Sequence, residues 1–196
     1  MKPDYFDTVA ATWDNHAGPP QSALDKLLNL LSLQENSSVL DIGTGTGILI
    51  PHLRERIGTD GHITAVDKSH AMLAQARYKF GTVPHTRFLQ LDIETLLPPE
   101  TYDAIIMYSV YPHLKHPIET LCKLYRNSLK TGGTLLIAHS AGRQTINEIH
   151  QRHRHELSSA TLPPAEDIVM QLRQKGIPEI FSEDSDSIYY IAIFHP

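Results

Sequence analysis

"SVLDIGTGTGILIPHL", residues 38–53, places Gly43, Gly45 and Gly47 at alternate positions directly behind an apolar run that carries one acid, Asp41. Glycine weakens the interior of both helices and strands, so three of them at the edge of a core strand need a reason. Lacking a Cβ, they permit backbone angles closed to other residues and let a ligand approach the main chain. A tight turn needs one glycine. Three in "DIGTGTG" read as a ligand cradle.

Working outward, the chain alternates strand-like and helix-like segments. "SALDKLLNLL" (22–31) sets Leu24, Leu27, Leu28 and Leu31 on one helical face. "SSVLDI" (37–42) is a short buried strand, and "GILIPHLRERIG" (47–58) a helix ending at Gly58, with Pro51 close to its start, where the missing N–H is tolerated. "GHITAVD" (61–67) is a second strand; "SHAMLAQARYKFG" (69–81) is a helix with Ser69 as N-cap and Gly81 at its close. Strands follow at 86–93 and 102–110, the latter apolar on both faces and hence central. A helix over 117–130, a strand over 132–140, a helix over 165–176 and a strand over 186–194 complete the reading. This pattern predicts an α/β fold, a doubly wound and mostly parallel sheet with helices on both faces. Ligands bind such sheets outside the carboxyl ends of the strands, at the topological switch point.

The chain's 196 residues suit one domain rather than two. A net charge of -5 with scattered basic residues argues against a nucleic-acid partner. Cys122, the one cysteine, has no internal disulfide partner and lies in an amphipathic helix, which reads as core filling in a reducing compartment. No run approaches the ~18 apolar residues of a membrane span, and the start of the chain is acidic where a signal peptide is apolar. The expectation is a cytoplasmic protein of one domain over 1–196, with no membrane partner.

Two ligands remain open for the cradle on these residues alone. A dinucleotide fingerprint is GxGxxG, but Ile48 stands where its third glycine belongs. Asp67 closes the second strand, as ribose hydroxyls require in either case. The spacing favours a ligand without a pyrophosphate.

Five stretches then share one resemblance. "VLDIGTGTG" resembles the first motif of the class I S-adenosylmethionine-dependent methyltransferases, and "ITAVDKSHAML" their acidic-loop motif. "FLQLDIETL", "YDAIIMYSVYPHL" and "LCKLYRNSLKTGGTLLI" are similar to the motifs that follow, in order and in spacing, over roughly 37–140. The likeness is greatest to the small UbiE-like group acting on small molecules. It implies a Rossmann-like sheet of seven strands with an antiparallel last strand, and S-adenosyl-L-methionine as cofactor, leaving as S-adenosyl-L-homocysteine. By the same resemblance, Gly43, Thr44 and Gly45 pass close to the methionine moiety and Asp41 helps hold its ammonium. Asp67 accepts from both ribose hydroxyls, Lys68 and Met72 flank the adenine, and Asp92 with the Ile93 amide addresses its edge. Tyr108 lines the methionine end. The residues at 1–20 resemble a lid helix, with Tyr5, Phe6 and Trp13 able to turn rings inward, where a sulfonium is attracted to an aromatic face.

The acceptor is sought at the carboxyl ends of the fourth and fifth strands, which are rich in histidine. A hydroxyl acceptor needs a base to take its proton, whereas a thiolate or amine needs little beyond alignment. His113 and His139 are the candidate catalytic residues; Trp13, Tyr111, His139 and Arg143 are candidates for binding the acceptor, an arginine there suiting a carboxylate or phosphate. His150 and His153 have the i, i+3 spacing of two ligands on one helical face, but no third ligand is fixed by sequence, so no metal is expected. His150, His153, His155 and Glu156 read as well as a solvated helix face. No large insertion for recognising a macromolecule is present, which favours a small-molecule acceptor. A cofactor-binding module without turnover, a non-methyl reaction with the same cofactor and a nicotinamide oxidoreductase are the alternatives.

Overall fold

A computed structural model describes residues 5–15, 18–152 and 161–196. Its strands are β1 (Ser38–Ile42), β2 (His62–Asp67), β3 (Thr86–Gln90), β4 (Tyr102–Tyr108), β5 (Leu129–His139), β6 (Ile180–Asp184) and β7 (Tyr189–Phe194). They form one sheet in the order β3-β2-β1-β4-β5-β7-β6. β1 to β5 pair in parallel, while β7 runs antiparallel to both β5 and β6. The strand order reverses between β1 and β4, so the crevice expected of a doubly wound sheet opens at their carboxyl ends.

The helices are α1 (Tyr5–Val9), α2 (Gln21–Leu28), α3 (Ile50–Ile57), α4 (His70–Phe80), α5 (Pro117–Asn127), α6 (Arg143–Arg152) and α7 (Ala165–Gln174). Side chains of a strand alternate between faces, and the central strands use both. Leu40, Ile105, Met107, Leu135 and Ile137 join Leu121, Leu124, Ile168 and Leu172 of α5 and α7 in one buried cluster. Val39, Ala104, Ile106, Leu136 and Ala138 join Leu24, Leu28, Ile50 and Leu53 of α2 and α3 in the other. Cys122 is buried on α5 in the first cluster, as its setting in the sequence predicts, and burial pushes its thiol up.

Local chemistry sets the element ends near the crevice. The Ser69 hydroxyl accepts the Met72 N–H at 3.1 Å and caps α4. Pro51 lies in the first turn of α3 and Pro117 opens α5.

Beyond shifted ends, such as β3 stopping at Gln90 and β7 starting at Tyr189, β6 and β5 depart from the sequence reading. β6 is missing from it, because the strand lies at the sheet edge and buries Ile180 while leaving Phe181 65% exposed, so no apolar alternation marks it. β5 starts at Leu129, three residues before the predicted strand, and carries Gly132 and Gly133 through an irregular register against β4.

Candidate active site

The glycine loop joins β1 to α3 at the switch point, and all three of its glycines have positive φ: 68° at Gly43, 57° at Gly45 and 90° at Gly47. At Gly43 a Cβ would strike the Val110 side chain, and at Gly47 it would stand 2.7 Å from the Phe80 ring. The loop therefore needs glycine for its angles and for the packing beneath it. The Gly43 and Thr44 N–H groups donate to the Val66 carbonyl at 2.7 and 3.0 Å, which ties the loop to β2.

Two acids face this loop from different depths. Asp41 is 1% exposed, and its carboxylate accepts the Thr44 hydroxyl at 2.7 Å. Burial raises its pKa to about 7, against the Thr44 hydrogen bond and with a further push from Asp67. Asp67, half-buried at the end of β2, accepts the Gly45 N–H at 2.9 Å on Oδ2 and the Ser69 N–H at 2.8 Å on Oδ1. These bonds aim the carboxylate across the mouth of the cradle.

The other expected cofactor residues lie at or just beyond the carboxyl ends of β2, β3 and β4. Met72 is buried on α4 and Lys68 is exposed, its Nζ 5.8 Å from the centre of the Phe6 ring. Asp92 is exposed and its Oδ1 accepts the Glu94 N–H at 3.0 Å, while Ile93 is buried. The Tyr108 hydroxyl donates to Ser140 Oγ at 2.6 Å, and burial raises its pKa.

The aromatic N-terminal segment is pinned over this crevice by acids that the sequence reading did not single out. Asp7 Oδ1 accepts the Ser69 hydroxyl at 2.6 Å and the Ala71 N–H at 3.2 Å. Asp14 accepts the Thr46 hydroxyl at 2.6 Å and pairs with Lys79 at 2.8 Å. Their only signal in the sequence is an acid seven residues from its fellow within an otherwise apolar segment. Residues 1–4, 16 and 17 lie outside the described residues.

The candidates beyond β4 and β5 occupy different settings. His113 stacks on His150 with ring centres 4.9 Å apart and receives the edge of Phe6 at 5.0 Å; Trp13 in turn lies 5.9 Å from Phe6 and is 40% exposed. His139, 1% exposed at the end of β5, has no hydrogen-bond partner on either ring nitrogen among the described residues. His150 is buried against His113, not part of a solvated face, because α6 turns it inward onto the aromatic cluster. His153, His155 and Glu156 lie outside the described residues.

Arg143 and Tyr111 occupy other settings. Arg143 Nε pairs with Asp184 at 2.8 Å, which fastens the start of α6 to β6. Tyr111 is buried in the core beside α5, where burial and Glu119 push its hydroxyl up to about 12. Among the described residues no group of three or more His, Cys, Asp or Glu is arranged to hold a metal ion.

The family described as a methyltransferase domain matches residues 39–133. The chain is 36% identical over 156 residues to a malonyl-[acyl-carrier protein] O-methyltransferase of Halalkalibacterium halodurans, spanning 74% of this chain and 56% of that one. It is 31% identical over 158 residues to the protein of the same name from Bacillus anthracis, spanning 77% and 57%. The chain thus spans about half the length of the relatives it matches. Among solved structures it resembles the N-methyltransferase NodS of Bradyrhizobium japonicum, solved with S-adenosyl-L-homocysteine, at a TM-score of 0.73 and 18% identity over 97% of this chain and 96% of that one. The seven-stranded sheet with its single antiparallel strand, the five motifs and the family match agree: the chain belongs to the class I S-adenosylmethionine-dependent methyltransferases.

Proposed function

We propose that this chain transfers a methyl group from S-adenosylmethionine to a small-molecule acceptor. The observation that carries the reading is the Asp67 carboxylate, held by the Gly45 and Ser69 N–H groups at the mouth of a glycine loop shaped by positive φ. Each carboxylate oxygen has a second lone pair beyond its backbone bond, so Asp67 can accept from two adjacent ribose hydroxyls. The cradle fits the rest of such a ligand. Gly43 and Gly45 leave the main chain open to the methionine moiety, and Asp41 supplies the buried carboxylate for its ammonium. Met72 and Ile93 present apolar surface for the adenine; Lys68 and Asp92 stand exposed at its rim.

When bound, S-adenosylmethionine supplies an electrophilic methyl group on a sulfonium. The protein's part is to align a nucleophile with that methyl and exclude water. Phe6, Trp13 and the acid clasps of the N-terminal segment do the excluding, as a lid. His113, beneath Phe6, is the group placed to meet the acceptor.

The relatives named above are O-methyltransferases of a malonyl group on a carrier protein, which supports a small acceptor group without fixing its identity. A small acceptor also agrees with the negative net charge and the scattered placing of the basic residues in the sequence. Among the described residues no helix is long and apolar enough to cross a membrane. With its single unpaired cysteine, the protein is assigned to the cytoplasm.

The test is an incubation of the purified protein with methyl-labelled S-adenosylmethionine and an extract of its source cells, separated into small-molecule and macromolecular fractions. Label in the small fraction supports the reading. Label in protein or RNA overturns the acceptor class, and absence of label overturns turnover.

A further inference from the structure

A cleft of about 430 Å³ opens between the start of α5 and the last turns of α7. Small-molecule sites are commonly clefts of about 300–1,000 Å³. No residue of the glycine loop lines this one, nor do Asp41 and Asp67. Tyr111 and Ile118, both more than nine-tenths buried, are its deepest residues. Lys115, in the turn before α5, and Lys175, just past α7, bring one exposed ammonium from each wall. Among the described residues neither ammonium pairs with a carboxylate. The backbone of both walls is fixed by bonds that leave those side chains free. Glu94 accepts the Lys115 N–H at 3.1 Å and the His116 N–H at 2.6 Å, and the Lys175 carbonyl accepts the Arg126 guanidinium at 2.7 Å. The Tyr111 hydroxyl, although its residue is 5% exposed, has no hydrogen-bond partner among the described residues. Nearly all buried polar groups find a partner, so a buried and unpartnered phenol lining a cleft marks a group that a ligand satisfies.

We propose that this cleft is a second ligand site, separate from the cofactor cradle, and that it takes a small organic dianion carrying a hydroxyl. Phosphate esters of polyols and hydroxy diacids share that chemistry. The two ammonium groups and the Tyr111 O–H are donors from different sides, which a doubly charged acceptor completes. Glu119 lines the same cleft, close enough to Tyr111 to act on it electrostatically. Its carboxylate only accepts, so it asks for a hydroxyl on the same molecule. Gln174 can give or take a bond beside Lys175. A cation would face two ammonium groups, and a neutral ligand would leave both without a partner. The site stands independently of the methyl-transfer reading, but the chain links the two places. Tyr111 opens the one-turn helix Tyr111–His113, and the His113 ring meets Phe6 and His150. Val110, the residue before it, packs against Gly43 of the glycine loop. A ligand that holds Tyr111 therefore steadies the segment that borders the cradle.

Glycerol 3-phosphate and malate represent the two sources, and each is titrated calorimetrically into the full chain at pH 7.5 and low salt. Inorganic sulfate carries the charge without the hydroxyl, and glycerol the hydroxyl without the charge. At least one of the two dianions is expected to bind at a single site, at least tenfold tighter than sulfate or glycerol, and the tighter one names the anionic group. The double variant Lys115→Gln, Lys175→Gln is expected to weaken it at least tenfold. Lys123→Gln with Arg173→Gln removes the same charge from α5 and α7 outside the cleft, and is expected to change binding less than twofold. Tyr111→Phe keeps the ring in the core and removes only the unpartnered hydroxyl; it is expected to weaken the dianion at least threefold without lowering the unfolding midpoint. Amide exchange over residues 110–116 is expected to slow when the dianion binds. Neither dianion binding better than sulfate or glycerol, equal losses in the two charge-removing pairs, unchanged binding in Tyr111→Phe, or unchanged exchange over 110–116 would overturn the proposal. Binding of S-adenosylhomocysteine is measured separately, and its failure would count against the methyltransferase reading and not against this site.

Discussion

Asp67 Oδ2 accepts the Gly45 N–H at 2.9 Å, across 22 residues of chain, so the acid that closes β2 and the loop that leaves β1 form one rigid unit. The same carboxylate reaches the Ser69 N–H at the start of α4 with its other oxygen. A hydrogen bond to a charged acceptor is worth roughly twice a neutral one. The ligand-facing geometry is thus built into the backbone of three elements.

Gly43→Ala tests the loop beneath that unit. An alanine there meets both a φ of 68° and the Val110 side chain. The left-handed angle costs about 1–2 kcal/mol and the clash about 1–3 kcal/mol more. Chemical denaturation of Gly43→Ala in the wild-type and Val110→Ala backgrounds separates the two. The cost is expected to fall by the clash part in the second background, and an equal cost in both would remove Val110 from the explanation.

Asp41 gives a pH dependence of defined sign. Its folded pKa of about 7 lies above the ordinary carboxylate value, so the folded state holds this proton more tightly than the unfolded one. Stability from Asp41 is full below about pH 4 and is lost as pH rises through about 7. Asp41→Asn mimics the protonated form; it is expected to raise the Tm of the ligand-free protein at pH 8 and leave it nearly unchanged at pH 4. The same variant is expected to weaken S-adenosylhomocysteine at least fivefold at pH 8. A Tm difference equal at both pH values would contradict the buried, proton-holding Asp41.

The clasps of the N-terminal segment join exposed acids to the buried Ser69 and Thr46 hydroxyls, and each hydrogen bond contributes about 1 kcal/mol. The double variant Asp7→Ala, Asp14→Ala is therefore expected to keep the global unfolding midpoint while speeding amide exchange over Tyr5–Asn15 and the release of S-adenosylhomocysteine. In wild type, Asp7 is held below the usual carboxylate range by the Ser69 hydroxyl and the Ala71 N–H. For Asp14, burial pulls upward, but the hydrogen bonds of Lys79 and Thr46 keep it lowered as well. Both clasps are present at neutral pH and loosen as acid protonates them. Unchanged exchange in the double variant would show that the aromatic contacts alone hold the segment.

His113 is the histidine between Phe6 of the N-terminal segment and His150 of α6. With the acceptor identified, His113→Ala is expected to lower kcat at least tenfold while the Kd for S-adenosylhomocysteine stays within twofold. Equal losses in both would mark it as structural.

The sequence makes the proposed cofactor half of this site readable and the proposed acceptor half much less so. Asp41, the three glycines and Asp67 sit at strand ends whose position follows from local patterning, and the structure brings them together. The acceptor end depends on how α6 and the N-terminal segment fold back. That packing turns His150 inward onto His113 and pairs Arg143 with Asp184, a residue of the edge strand β6 that shows no apolar alternation. The clasps of Asp7 and Asp14 are equally invisible in sequence, since their partners Ser69 and Thr46 lie 62 and 32 residues away.

The most direct measurement is a calorimetric titration of the wild-type protein and Asp67→Ala with S-adenosylhomocysteine. Wild type is expected to bind at a single site, and Asp67→Ala to lose at least ~1.5 kcal/mol, about tenfold in Kd, the scale of hydrogen bonds to a charged group. Wild type that takes up no S-adenosylhomocysteine, or an Asp67→Ala variant that binds it as tightly, would contradict the cofactor site at the switch point.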